Sequence, residues 1–211
     1  MTSDGGRAVL VAPARVEGWF ERFAERHSGI AVMDVSLWSV VATASDGASA
    51  SVAVPYGPLE DRTFPGFLAH VTRPRVVAVL LVRVGGYSMG IAEGERVVVS
   101  RTGRKPVQGR TSAGGWSQRR FARRRAGQAR VALEAAADSA AEVLVPRLSD
   151  VDGVRVGGDV RALAVLRGDS RLAGLFGRAE GRVLEVGEPR RETLDAAVAQ
   201  ALAVEIVVRE P

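Results

Sequence analysis

The sequence predicts an α/β fold: a mixed β-sheet flanked by helices, within a single domain spanning residues 1–211. Three observations predict it. Hairpin signals crowd the first half, where apolar or alternating runs are joined by Ser45-Asp46-Gly47, Gly85-Gly86 and Glu93-Gly94. Strand and helix patterns alternate in the second half, as β-α-β units do. One run, residues 75–84 (RVVAVLLVRV), is apolar enough for a central strand covered on both faces. A hydrophobic content of 46% with 25% charged residues suits a chain that buries a sizeable core.

Residues 13–27 place Val16, Trp19, Phe20 and Phe23 at helical spacing, with Pro13 at the start and Ser28-Gly29 at the end. Residues 30–41 read as one strand and 49–54 as its hairpin partner. Pro55, Gly57, Pro58, Pro65 and Gly66 mark a loop leading to a short helix near 66–71. After the 75–84 strand, Gly85-Gly86 gives a tight turn, and Tyr87–Glu93 pairs with Arg96–Ser100. A loop is expected over 101–118 and a long helix over about 117–145. That helix has an apolar face of Ala122, Ala126, Ala129, Leu133, Ala136, Ala140 and Leu144, and Pro146 stops it. Beyond it, Gly157-Gly158 reads as a turn and 161–167 as a buried strand. Residues 169–176 read as a short helix capped by Asp169 or Ser170, 182–186 as a strand, 191–201 as a helix and 203–209 as a last strand.

Composition excludes several classes of chemistry. With no cysteine there is no disulfide, no thiolate nucleophile and no cysteine-ligated zinc, which fits a reducing, cytoplasmic setting. His27 and His70 lie far apart and read as surface or helix-end residues. The N-terminus has no signal-peptide pattern, and the longest apolar run, Val76–Val82, is far shorter than the ~20 residues of a membrane span. No phosphate-binding P-loop occurs. A metal-dependent nuclease would need carboxylates clustered around Asp34, drawn from Asp46, Glu93, Asp159 or Asp169; Asp46 and Glu93 read as turn residues and Asp169 as a cap.

Charge is the most informative signal. Residues 101–130 hold nine arginines, one lysine and no acid, a net +10 on a chain whose total is +5. A concentrated positive patch on a mildly acidic body is the footprint of a polyanion binder. Arg104, Lys105 and Arg110 precede Trp116; Arg119, Arg120, Arg123, Arg124 and Arg125 follow it on the helix, with no acid nearby to neutralise them. Trp116 is placed to stack on a base or to anchor the loop. Between the two basic arms lies Gly114-Gly115-Trp116-Ser117-Gln118. Glycines let a backbone approach a substrate closely. A glutamine has no useful pKa, but its amide orients a water and its N–H stabilises an oxyanion. The same residues also read as a plain helix start, with Ser117 as N-cap and Gln118 in the first turn.

The segment Gly114–Gln118, followed by Arg119–Arg125, resembles the catalytic loop and helix of the Vms-like release factors (VLRF), relatives of the middle domain of the eukaryotic and archaeal peptide-chain release factor. The resemblance implies a release-factor middle-domain-like (RNase H-like) fold. It also implies hydrolysis of the ester between nascent peptide and tRNA on stalled or split ribosomes. Gln118 would position the water, Gly114 and Gly115 would supply flexible backbone, and no cofactor or metal would be needed. The implied partners are the large ribosomal subunit, its RNA and peptidyl-tRNA. The release factors carry the two glycines and the glutamine contiguously; here Trp116 and Ser117 intervene. The other reading of the same patch is a non-enzymatic ribosome- or RNA-binding protein.

Overall fold

The computed structural model describes residues 6–104 and 116–211, with the backbone alone over 116–122. In chain order the elements are β1 (Arg7–Val11), α1 (Val16–Arg26), β2 (Ile30–Val35), β3 (Ser39–Ala44), β4 (Ser49–Ala53), α2 (Phe64–Thr72), β5 (Val76–Arg83), β6 (Gly86–Glu93), β7 (Arg96–Arg104), α3 (Trp116–Val143), β8 (Gly153–Gly158), α4 (Val160–Arg167), α5 (Ala173–Gly177), α6 (Arg191–Leu202) and β9 (Val204–Arg209). The fold is mixed α/β, as the sequence predicts, but with two sheets in place of one. Where the sequence reads as one domain over residues 1–211, the contacts divide the chain into two compact units: Met1–Pro74 with Leu202–Pro211, and Arg75–Ala201.

The first unit is built on a five-stranded antiparallel sheet in the order β1-β9-β4-β3-β2. Side chains alternate across a strand, so Val40, Ala42 and Ala44 of β3 and Ala50 and Val52 of β4 point inward. They meet Val16, Phe20 and Phe23 of α1, Phe67 and Val71 of α2, and Val204 and Ile206 of β9. Trp19, half-buried, stacks on Phe23 with ring centroids 5.6 Å apart. The single strand expected over 30–41 is two strands. The Ser36 hydroxyl accepts from the N–H groups of Trp38 (3.3 Å) and Ser39 (3.0 Å) and turns the chain between them. His27 ends α1 but is buried, not a surface residue, and its Nδ1 lies 2.8 Å from the Asp46 carboxylate. His70 donates to the Pro55 carbonyl at 2.8 Å.

The second unit has a four-stranded sheet in the order β7-β6-β5-β8. β5, β6 and β7 form an antiparallel meander; the chain then crosses by α3 to β8, which runs parallel to β5. β5 is central and buried along nearly its whole length. On one face Ala78, Leu80, Val82, Tyr87, Met89 and Ile91 pack under Leu133, Ala136 and Ala140 of α3, Leu144 just past its end, and Leu163 and Leu166 of α4. The other face is covered by α6, whose Leu194 sits over Gly90.

Four stretches of this unit differ from the sequence reading. Residues 161–167, expected as a strand, are helix α4. The Asp159 carboxylate caps it, accepting from the N–H groups of Arg161 (2.8 Å) and Ala162 (3.4 Å). The buried strand is β8 instead, and Gly157-Gly158, expected as a turn, forms its end. There Gly158 adopts φ +105°, and a Cβ would overlap the Val82 carbonyl. Residues 182–186 form no strand; Leu184 alone makes a bridge, to Gly157. Of the loop expected over 101–118, residues 101–104 belong to β7 and 116–118 to α3, and 105–115 lie outside the described residues.

Candidate functional site

In the chain, Gly114 and Gly115 fall between β7 and α3. Specific groups fasten α3 to β7 and to its neighbour β6. The hydroxyls of Tyr87 on β6 and Ser139 on α3 share a buried hydrogen bond of 2.7 Å. Gly103 of β7 lies opposite Tyr87, and a Cβ there would overlap its ring, so only glycine leaves room for that contact. Arg101 of β7 donates to both carboxylate oxygens of Glu142, at 2.5 and 3.1 Å. This fork holds the Glu142 carboxyl below its ordinary range and the guanidinium above its own.

All these fastenings lie in the C-terminal half of α3. Its buried positions begin at Ala132; of the side chains described from 123 to 131, none is buried. At ~1.5 Å per residue the helix axis carries the backbone of Gln118 about 30 Å beyond Ser139. The four N–H groups that open any helix have no intrahelical partner and carry the positive end of its dipole. Gln118 lies among them, in the first turn.

Of the predicted basic residues, Arg123 and Arg124 are exposed on α3 and Arg125 is half-buried. Trp116, Arg119 and Arg120 lie on the described backbone of α3; their side chains and that of Gln118 are outside the described residues, as are Lys105, Arg110, Gly114 and Gly115 altogether. Arg104 is exposed at the end of β7 but not free, since it pairs with Glu188 at 2.5 Å. Further along α3, Arg130 pairs with Glu134 at 2.8 Å. The carboxylates weighed for a metal site are used locally. Asp46 faces His27 and Ala48, Glu93 pairs with Arg96, Asp159 and Asp169 cap helices, and Asp34 is exposed on β2.

Sequence reasoning missed one feature of the same unit. Next to Arg104 the β5–β6 turn and the residues before α6 border a solvent-open cavity of about 670 Å3, lined by Arg83, Val84, Gly85, Gly86, Arg104, Glu188 and Pro189. The doubled glycine at 85–86 marked the turn, but nothing in the sequence joins Arg83 or Arg104 to Glu188.

Residues 75–207, well over half the chain, match the family described as the Actinobacteria/chloroflexi VLRF1 release factors (acVLRF1). The chain belongs to this family. The acVLRF1 match spans the whole of the second unit, with β7, α3 and the segment between them inside it, and extends into β9. Membership sets the acVLRF1 chain in translation, among release factors. No curated protein matches it in sequence. Among solved structures it is similar to an archaeal translation termination factor, aRF1 (14% identity, TM-score 0.44, covering 92% of this chain and 66% of that one). It is also similar to a Vms1 mitochondrial localization core (10% identity, TM-score 0.45, 79% of this chain and 74% of that one). A third likeness is to an archaeal protein (16% identity, TM-score 0.41, 76% and 51%). The acVLRF1 chain thus spans just under two thirds of the length of the archaeal factor.

Proposed function

We propose that this protein is a peptidyl-tRNA hydrolase. It cleaves the ester between nascent peptide and tRNA on stalled or split ribosomes, without reading a codon, in the cytoplasm. The observation that carries the proposal is the release-factor family match over residues 75–207, which encloses the Gly-Gly-Trp-Ser-Gln segment at the head of α3.

The chemistry asked of the protein is modest. The ester is already activated, so the work is to place one water and to stabilise the oxyanion that forms. The Gln118 side-chain amide orients the water. The N–H groups of the first turn of α3, which have no intrahelical partner and sit at the positive end of its dipole, stabilise the negative charge that develops. Gly114 and Gly115 let the backbone approach the ester. Lys105, Arg110, Arg119, Arg120, Arg123 and Arg124 hold ribosomal or tRNA phosphates, and Trp116 stacks on a base. Arg125, half-buried, and Arg104, paired with Glu188, contribute less to that contact than the exposed arginines do. The large ribosomal subunit with its bound peptidyl-tRNA is the partner, and no cofactor is required.

The test is release of labelled peptide from stalled ribosome–peptidyl-tRNA complexes by wild type and Gln118→Ala, beside a binding assay. Removing a water-positioning or oxyanion group costs on the order of 100-fold or more in rate. The variant is therefore expected to bind as the wild type does and to release peptide at least about a hundredfold more slowly. Binding without release by either protein would refute the hydrolase and leave an RNA-binding module.

A further inference from the structure

The cavity beside Arg104 has the chemistry of an anion site. Glu188 forms an ion pair with Arg104 at 2.5 Å and accepts a hydrogen bond from Arg190 at 2.8 Å. Arg83 faces the same carboxylate at longer range and donates to the Val186 carbonyl at 3.4 Å. Among the described residues Arg83 forms no ion pair of its own. Glu192 is the other carboxylate felt by Arg190. Arg83 and Arg104 line the cavity with Glu188, and Arg190, just beyond the lining, pairs with the same carboxylate; three guanidiniums against Glu188 and Glu192 leave an excess of positive charge. The Glu188 carboxyl is held below its ordinary range, first by the hydrogen bond from Arg190 and then by the charges of Arg104, Arg190 and Arg83.

The walls add specificity. Val84 is 49% exposed and lines the cavity with Pro189, giving an apolar surface beside the arginines. Gly85, at φ +99°, closes the turn without a side chain that would fill the opening. A volume of about 670 Å3 is ample for a nucleotide, since small-molecule sites run to roughly 300–1,000 Å3. A carboxylate has two oxygens to offer three guanidiniums. A phosphate offers more acceptors, and arginine forks match its geometry.

We propose that this cavity binds the phosphate of a nucleotide, with the base or sugar against Val84 and Pro189, and that Glu188 is an internal anion occupying the place the phosphate takes. The proposal deepens the RNA-binding part of the reading above and stands independently of ester hydrolysis. The phosphate belongs either to an RNA chain or to a free nucleotide, and the chemistry of the cavity is common to both.

The test measures binding of a fluorescently labelled six-nucleotide uridine RNA, with adenosine monophosphate as competitor. In parallel, the amide resonances of Gly85 and Gly86 are followed. Arg83→Ala is expected to weaken RNA binding about three- to tenfold and to reduce the slope of log affinity against log salt by about one. Arg83→Lys, which keeps the charge but loses the fork, should fall between. Glu188→Gln removes the competing anion and should tighten binding several-fold. Thermal melting of each variant excludes unfolding as the cause. Displacement of the RNA by adenosine monophosphate at similar concentration assigns a free-nucleotide site; displacement only by RNA assigns a polymer site. The proposal is overturned if neither ligand moves the Gly85 and Gly86 amides, or if Glu188→Gln fails to tighten binding. If Gln118→Ala releases peptide as well as wild type while these results hold, the hydrolase reading fails and the site stands.

Discussion

The Tyr87–Ser139 hydrogen bond is the sharpest place to perturb the support of α3. Both residues are buried, at 9% and 6% exposure, and their hydroxyls are 2.7 Å apart. Removing one partner leaves the other desolvated without a mate, at a cost of about 1–3 kcal/mol. The two single changes are not equivalent. In Tyr87→Phe the Ser139 hydroxyl can turn to the carbonyl one helical turn back, as helical serines do, so the loss should be near the lower end, about 1 kcal/mol. In Ser139→Ala the tyrosine hydroxyl stays buried beside Gly103 with no such alternative. The cost should approach ~2 kcal/mol, even after the few tenths of a kcal/mol that alanine gains over serine in a helix. The double variant should lose no more than about 1 kcal/mol, because neither hydroxyl is then stranded, giving a coupling of about 1–2 kcal/mol. Urea unfolding followed by circular dichroism measures all four proteins. Additive losses, or a Ser139→Ala protein as stable as wild type, would refute the reasoning.

Other outcomes follow from the same geometry. Gly103→Ala drives a methyl group into the Tyr87 ring and should destabilise the second unit by about 1–3 kcal/mol, read as a fall in melting temperature. Gly158→Ala adds a collision with the Val82 carbonyl to a left-handed backbone that alanine disfavours, so it should cost more than Gly103→Ala in the same melt. Asp46 is held below its ordinary range, first by the Ala48 N–H and then by His27. Its depressed pKa contributes stability above the usual aspartate range and loses it as pH falls through the folded-state value. The melting-temperature gap between wild type and Asp46→Asn should therefore narrow on acidification from pH 6 to pH 3; a constant gap would sink the assignment. Arg101→Gln releases Glu142 at the surface, and any loss it causes should shrink in high salt, because the pair is exposed.

Much of the fold is legible where one local signal dominates. The alanine and leucine spacing of α3 and the apolar run of β5 each specify an element without help from distant contacts. The misreadings fall where local signals are balanced. Residues 161–167 are apolar enough for either a strand or a helix, and the deciding group is Asp159, outside the run, whose carboxylate caps the helix. The break between β2 and β3 has neither glycine nor proline; a serine hydroxyl makes the turn. The division into two units rests on β9 pairing with β1 and β4, contacts that join the two ends of the chain and leave no local trace. The candidate site divides the same way. The basic window and the Gly-Gly-Trp-Ser-Gln motif are contiguous and stand out in the sequence. The Arg104–Glu188 pair, by contrast, joins residues on separate elements, and so does the Tyr87–Ser139 bond that supports α3.

The placement of those fastenings gives α3 a mechanical character. Among the described residues, the buried contacts and the Tyr87 and Arg101 bonds that grip the helix lie in its C-terminal half, with the backbone of Gln118 about 30 Å from Ser139, so the element has the form of a lever with its fulcrum near Ser139. A tilt of about 5° at the fulcrum sweeps the far end through roughly 3 Å, more than the ~1 Å of misplacement that costs a positioned reaction about a hundredfold. On the proposed hydrolase reading, aim at the ester would then be governed partly by residues at the far end of the helix. Loosening Tyr87, Ser139 or Arg101 should blunt the rate of peptide release well before it weakens attachment to RNA.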